Sequence, residues 1–357
     1  MLAQTLKARD LLMKRNLKIF SIFLSLFILG ACQKQENKAD SADQNQASKI
    51  MCNEVDKGLS QYMDDWDPEA VSEFNDLVKT CVPQLSMQQR YAWLKASEDI
   101  YSNLLDNTSD EVINYIVNAK NPNSGISAED LKSTYNNFDD DEQYMIDHFR
   151  DLYLQEYDVG DDGHDIYRTA KYKIDLFGPY LNKADLSFFE QQYLEEKIAN
   201  GAVVKDSTLA VDFSTLASWI LVWERYIAHH PNEHFSADAK ARLKLYQSYL
   251  FFGVENSSVF DAHENNYINP KAWFAIKTLS KSDTPSGALA KQYMSYVQSN
   301  QMQWIKIHSQ NSDEQDQQLE TRYNHDLQSK FGLVPPFDDD QQKPSDNPEQ
   351  TDQQQDQ

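Results

Sequence analysis

The chain has 357 residues, of which 33 are basic and 56 acidic, so its formal net charge is −23. This balance argues against binding to nucleic acid or to an anionic membrane surface through a basic patch. The 42 aromatic residues supply enough apolar side-chain material for a large core.

The first predicted element is an export signal. Three cations, Lys14, Arg15 and Lys18, precede an apolar run over 19–29 that is too short to span a bilayer as a stable helix. Leu-Gly-Ala-Cys follows at 29–32, and the whole segment resembles the lipobox signal peptide of bacterial lipoproteins. The resemblance covers about twenty residues, so it bears on export and anchoring and not on the fold.

The resemblance implies that residues 1–31 are a signal peptide and that Cys32 becomes lipidated. Twelve residues, including Asp10, precede Met13 and depart from the family pattern, so we expect translation to start at Met13. Several acyl chains on one residue give stable anchoring. Gln33 stands where an aspartate would resemble an inner-membrane retention signal, so we expect the cell outer membrane, on its periplasmic face or at the cell surface. The membrane is then a partner through the lipid on Cys32.

The rest of the chain divides by composition into three parts. Residues 32–49 are polar and predict a disordered tether, and residues 334–357 are rich in Gln and Asp and predict a disordered tail. Between them, 50–333 is predicted to be a helical domain, with a possible subdivision near 158–211.

Apolar residues recur at helical spacing through this domain, and caps mark the helix starts. The predicted class is all-α: antiparallel helical hairpins packed as a bundle or an irregular α-solenoid. The extended piece expected is 202–211. The predicted helices are 50–63, one opened by Asp67 and Pro68 and stopped by Pro83, 86–105, 109–120, 127–136, 139–157, 165–176, 185–200, 213–230, one capped by Ser236 and ending before Gly253, 270–279, 285–308 and 312–330.

Cys52 and Cys81 are predicted to form a disulfide. With Cys32 lipidated they are the remaining thiols, and an exported protein folds in an oxidising compartment. They also lie at similar distances from a turn near Trp66, so antiparallel helices would bring them level.

Two motifs suggest metal chemistry. His230-Pro231-Asn232-Glu233-His234 has the H-x-x-E-H spacing of a zinc site, which requires both histidines on one helix. Pro231 disfavours that helix, so a polar loop is the preferred interpretation. The stretch from Asp158 has the aspartates of a calcium loop, but Thr169 replaces its final glutamate, which favours an acidic turn.

No catalytic residue is assigned and no cofactor is expected. The preferred hypothesis is an outer-membrane-anchored helical lipoprotein that acts as a non-catalytic module and binds an unknown envelope protein, with no nucleic acid partner. One alternative is a metal-dependent hydrolase that uses His230, Glu233 and His234. The other is a binder of small ligands or glycans in an aromatic groove.

Overall fold

Helices account for most of the chain that the computed structural model describes, and the fold is all-α as predicted. The described residues are 49–61, 67–121, 123–160, 163–261, 267–308 and 313–336. The predicted signal peptide, Cys32 and most of the predicted tether and tail lie outside these ranges. Residue contacts divide the chain into Met1–Met51 and Cys52–Gln357. Residues 49–51, all that is described of the first unit, are helical.

The helices of the described ranges, numbered in chain order, alternate with short turns and three small hairpins. They are α1 (49–57), α2 (Pro68–Cys81), α3 (Met87–Asp106), α4 (Asp110–Lys120), α5 (Ala128–Tyr135), α6 (Asp140–His148), α7 (Lys183–Ala199), α8 (Phe213–His229), α9 (Ser236–Phe251), α10 (Pro270–Leu279), α11 (Pro285–His308) and α12 (Asp313–Phe331). Among them, no segment has both the length and the apolar character required to cross a membrane.

Local caps explain why several helices begin where the sequence predicts. The Asp67 carboxylate accepts hydrogen bonds from the first free N–H groups of α2, and Pro68 occupies its first position. Ser86 and Gln89 satisfy each other's backbone N–H groups at the start of α3, which confirms the predicted capping box. One predicted cap is wrong: Ser236 is the first residue of α9, and its hydroxyl donates to the carbonyl of His230.

The core is centred on α8 and α9, which pack along each other, while α10 packs against α8. Leu216, Ile220 and Trp223 of α8 are fully buried, as are Tyr246 and Leu250 of α9. This hairpin follows the predicted segments closely, because a helix that is apolar on most of its surface must be covered on most sides.

The prediction of helices over 139–157 and 165–176 is wrong in part. α6 ends at His148, and the antiparallel strands β1 (Leu154–Gly160) and β2 (Gly163–Arg168) follow. Tyr153 adopts a positive φ of 59°, which ends helical geometry before β1. The helical part of the second segment consists of residues 171–172 and a π-helical turn (Lys173–Phe177).

Tertiary contacts of β2 stabilise this hairpin. The Arg168 guanidinium lies 4.0 Å from the centroid of the Tyr101 ring and 3.5 Å from that of the Tyr172 ring. It also donates to the carbonyl of Ser97 on α3 at 2.7 Å. Cation–π contacts and a charged hydrogen bond therefore attach β2 to α3.

The extended piece expected at 202–211 contains a small hairpin, and a second hairpin that the sequence did not predict follows α9. β3 (Val204–Lys205) pairs with β4 (Thr208–Leu209), and β5 (Gly253–Val254) pairs with β6 (Ser257–Ser258). Gly253 has a φ of 81°, and a Cβ there would lie 2.3 Å from the carbonyl oxygen of Ser257. Only glycine fits where α9 turns into β5.

Candidate functional site

The predicted metal motif lies on the loop between α8 and α9, as the interpretation of Pro231 required. His230 follows the last residue of α8 and has left helical geometry, with φ −131° and ψ 52°. His234 lies four residues further on, before α9. The two histidines are therefore not one turn apart on a helix, which is the arrangement that the hydrolase alternative requires.

Each side chain of this motif has its own contact. The His234 ring stacks on the Tyr91 ring, with centroids 3.7 Å apart and planes 3° from parallel. The His230 ring lies 5.0 Å from the Tyr226 ring. The Glu233 carboxylate accepts a hydrogen bond from the Asn182 amide at 3.1 Å. Within the described ranges, no three His, Cys, Asp or Glu side chains are arranged to hold a metal ion.

Behind this loop lies a buried carboxyl group that sequence reasoning did not single out. Asp185 is 0 % exposed, and its Oδ2 accepts a hydrogen bond from the Tyr91 hydroxyl at 2.5 Å. Burial raises the pKa of Asp185, while the Tyr91 hydrogen bond and the field of His234 oppose that rise. Asp185 sits in the first turn of α7, where its N–H donates to the Asn182 cap at 2.9 Å.

Asp185, Tyr91, Tyr226, Glu233 and His234 form one electrostatic neighbourhood, which we call the Asp185 cluster. Burial raises the pKa of Tyr226 to about 12, and the carboxylates of Asp185 and Glu233 add to the effect. Burial and the Asp185 carboxylate also raise the pKa of Tyr91. The cluster combines hydrogen-bonding oxygens with aromatic rings, and it extends from the buried Asp185 to the exposed Glu233 and His234.

The sequence signal for this cluster was present but ambiguous. Asn182 followed three residues later by Asp185 has the pattern of a helix start, which accounts for the aspartate without a functional role. Tyr91 belongs to the apolar set of α3. Nothing local shows that these two residues, 94 positions apart, are hydrogen bonded.

A second buried carboxylate, Glu195, lies in the core and is 2 % exposed. Its Oε1 accepts from the Trp223 indole at 2.7 Å and from the Gln191 amide at 2.8 Å. Its Oε2 accepts from the Tyr246 hydroxyl at 2.6 Å and lies 3.4 Å from Nη1 of Arg242. Both oxygens are satisfied, so this network serves to hold α7, α8 and α9 together.

The neighbouring Glu196 titrates in an unusual range. Burial raises the pKa of its carboxyl from 4.5 to about 7, although its hydrogen bond from the Ala170 N–H and the charge of Lys173 oppose the rise. Between pH 4.5 and about 7, the Glu196 carboxyl is therefore protonated in the folded chain and ionised in the unfolded chain. The free energy of unfolding should fall as the pH rises through this range.

Glu196→Gln should remove the pH-dependent contribution of this carboxyl to the free energy of unfolding. That contribution changes by at most about 3 kcal/mol between pH 4.5 and 7. Urea unfolding at pH 5 and pH 7.5 measures it as the difference between wild type and variant. Glu190→Gln, an exposed carboxylate on the same helix, is the matched control and should retain the wild-type pH dependence. An equal loss of stability from pH 5 to 7.5 in wild type and Glu196→Gln would contradict the assignment.

The two cysteines of the described body are joined: Cys52 and Cys81 form a disulfide, with Cα atoms 5.3 Å apart. The pairing is the one expected from the sequence. The bond links the end of α2 to the helical segment that precedes it, and both cysteines are buried. The predicted lipidation residue, Cys32, lies outside the described ranges.

The calcium-loop alternative falls on the turn of the β1–β2 hairpin. Asp158 Oδ1 accepts from the N–H of Gly160 at 2.9 Å, so this carboxylate serves the turn itself. Asp162 lies outside the described residues.

Comparison with protein-family models, with curated proteins and with solved structures finds no match for this chain.

Proposed function

We propose that this chain is a lipoprotein anchored through Cys32 to the outer membrane, where its helical body binds another envelope protein. The observation that carries the proposal is the segment ending at Cys32: a basic start, a short apolar run and Leu-Gly-Ala-Cys. The polar residues 33–49 would separate the body from the lipid, by on the order of 20–25 Å for a random coil.

Charge supports a basic partner. Residues 1–31 contain five basic and one acidic side chain, so the processed chain carries 28 basic and 55 acidic groups, a formal charge of −27. Such a field raises the encounter rate with a basic surface and is screened by salt. The exposed Phe274 (65 %) and Met302 (76 %) would add apolar contacts.

Contacts in the structure favour this proposal over the two alternatives. The His234 ring is stacked on Tyr91, and His230 has left helical geometry. The two histidines therefore do not project from one helix face, as the hydrolase alternative requires. Trp93, Trp219, Trp223 and Trp304 are buried in the core, where they stabilise packing and are covered from a glycan, whereas Trp273 is half-buried.

Cys32→Ser should abolish anchoring, because serine lacks the sulfur that receives the lipid. We expect loss of labelling by radioactive fatty acid, accumulation of the unprocessed precursor and release from the outer-membrane fraction. Cys52→Ser serves as the control: it removes another cysteine and should leave the label in place. Continued labelling and outer-membrane fractionation of Cys32→Ser would disprove the anchor.

Binding to a partner can be tested separately by in-cell crosslinking. A photo-crosslinking residue at Met302 is compared with one at Glu111, an exposed position on α4. We expect one discrete crosslinked envelope protein from position 302, with a yield that falls as salt is raised. Equal yields of many products from both positions would contradict a specific binding module.

A further inference from the structure

One part of the body differs in charge from the rest of the chain. Residues 269–308, which run from the cap of α10 to the end of α11, contain five lysines and one acidic residue, Asp283, a formal charge of +4. The remainder of the processed chain holds 23 basic and 54 acidic groups, a formal charge of −31. The charge distribution is therefore strongly asymmetric, although the total is acidic.

The positive charge of α10 lies on its exposed face. Lys271, Phe274 and Lys277 follow one another at a spacing of three residues, which places them on one side of the helix, and Lys281 is exposed on the turn that follows. Phe274 is 65 % exposed. The opposite side is buried and consists of Ala272, Ala275, Ile276 and Leu279. An aromatic ring therefore stands in solvent with a lysine on either side of it.

These lysines are available to a partner outside the chain. The lysine and arginine ion pairs within the described ranges are formed by other residues. Hydrogen bonds from Thr215 lower the pKa of Asp212, and the charge of Lys271 adds to that effect without forming an ion pair. The face of α10 thus carries positive charge that the described body leaves uncompensated by direct contact.

Lysines around an exposed aromatic ring match the surface of an anionic bilayer. Each lysine near such a surface contributes about fivefold to the binding of a basic segment. Aromatic rings are accommodated at the level of the lipid headgroups, where their apolar part leaves water. Trp273, half-buried beside Phe274 in the chain, adds a second ring at the edge of this face.

The proposed tether determines how the net charge of the chain acts. A free chain with a charge of −27 is repelled as a whole by an anionic membrane. A body that residues 33–49 hold on the order of 20–25 Å from the bilayer cannot diffuse away, so the field acts on its orientation. Since the Debye length is about 8 Å at physiological salt, the charges nearest the headgroups dominate that orientation.

We propose that the exposed face of α10 docks on the anionic phospholipid surface to which the chain is anchored. The lysines contact lipid phosphates, the Phe274 ring enters the headgroup region, and the acidic remainder of the body turns toward water. This inference rests on the proposed lipid anchor. It assigns Phe274 to the bilayer and leaves Met302, exposed on α11, for the protein partner.

Spin labelling of the full lipidated chain tests this orientation. A nitroxide is attached to Thr278→Cys, an exposed position one turn after Phe274, or to Glu111→Cys on α4. The chain is reconstituted in vesicles of phosphatidylcholine alone or of phosphatidylcholine and phosphatidylglycerol in equal parts. In the anionic vesicles, we expect collisions of the label at position 278 with a water-soluble nickel complex to fall at least about twofold, and its collisions with oxygen to rise. The label at position 111 should stay in water in both.

Replacing the three lysines of the face by glutamine should lower the ratio of docked to undocked bodies about a hundredfold, because three contributions of about fivefold are lost. The label at position 278 should then behave alike in both kinds of vesicle. The matched control replaces three lysines that are exposed on α7 and α9 and should retain docking: Lys183, Lys240 and Lys244. Phe274→Ser should weaken docking about tenfold and leave its dependence on anionic lipid.

Flotation with the neutral vesicles reports on the anchor separately. A chain that does not float overturns the anchor and the docking that rests on it. A chain that floats, with position 278 equally exposed to water in both kinds of vesicle, overturns the docking alone. An equal effect of the two triple variants would assign the result to net charge and not to α10. Spectral broadening at position 278 that disappears on dilution with unlabelled chain would show that a second copy, and not lipid, covers this face.

Discussion

Glu195→Ala should lower the free energy of unfolding by about 3–5 kcal/mol, the largest effect that we expect of a single substitution in this protein. Alanine would leave the buried Trp223 indole and Tyr246 hydroxyl without their acceptor and would take the carboxylate away from Arg242. Removing one member of a buried charged network costs more than the network contributes, because the partners remain buried and unsatisfied. Chemical denaturation monitored by tryptophan fluorescence measures the loss.

Two further variants isolate the cause. Glu190→Ala shortens an exposed glutamate on the same helix and should change stability by no more than about 0.5 kcal/mol. Glu195→Gln keeps an acceptor oxygen of similar position, so its loss should lie between those of the two alanine variants. A cost below about 1 kcal/mol for Glu195→Ala would show that the hydrogen bonds to Glu195 do not hold α7, α8 and α9 together.

The parts of the fold that the sequence predicts well are those determined by neighbouring residues. Ser86 and Gln89 are three residues apart, and the capping box that they form is complete within a single turn. Phe213–His229 was predicted within one residue, because its apolar spacing and Pro231 define both the buried face and the end. Such signals do not depend on the rest of the chain.

The β1–β2 hairpin shows where local reasoning fails. Its residues suit a helix or a strand, and no glycine marks the positive φ of Tyr153. The decision comes from tertiary contacts, such as those of Arg168 with the rings of Tyr101 and Tyr172. Strand propensity depends on such context more than helix propensity does, so the sequence pattern alone favoured the wrong element.

The same limit applies to the candidate site. The sequence located the loop that carries His230, Glu233 and His234, and it predicted correctly that Pro231 separates the two histidines. It did not identify Asp185, because a partner 94 residues away leaves no local pattern. Buried polar groups are recognised by what surrounds them, and that information exists only in the folded chain.

Replacing both Cys52 and Cys81 by alanine should lower the free energy of unfolding by about 3–4 kcal/mol. The disulfide spans a sequence separation of 29 residues, and closing a loop of this length removes that much chain entropy from the unfolded state. The cross-link also fixes the segment before α2 against the end of that helix. Thermal and urea unfolding of the purified wild-type protein, compared with the double variant, measures the difference.

Reduction of the wild-type protein provides the decisive comparison, because it breaks the same loop without changing any side-chain volume. Wild type with dithiothreitol should approach the stability of the double variant, whereas the double variant itself should not respond to the reductant. Any remaining gap measures the packing lost when two buried sulfur atoms are deleted. If dithiothreitol leaves the stability of the wild type unchanged, or if non-reducing peptide mapping finds both thiols free, the covalent link does not stabilise this fold and the cysteines act only as buried apolar side chains.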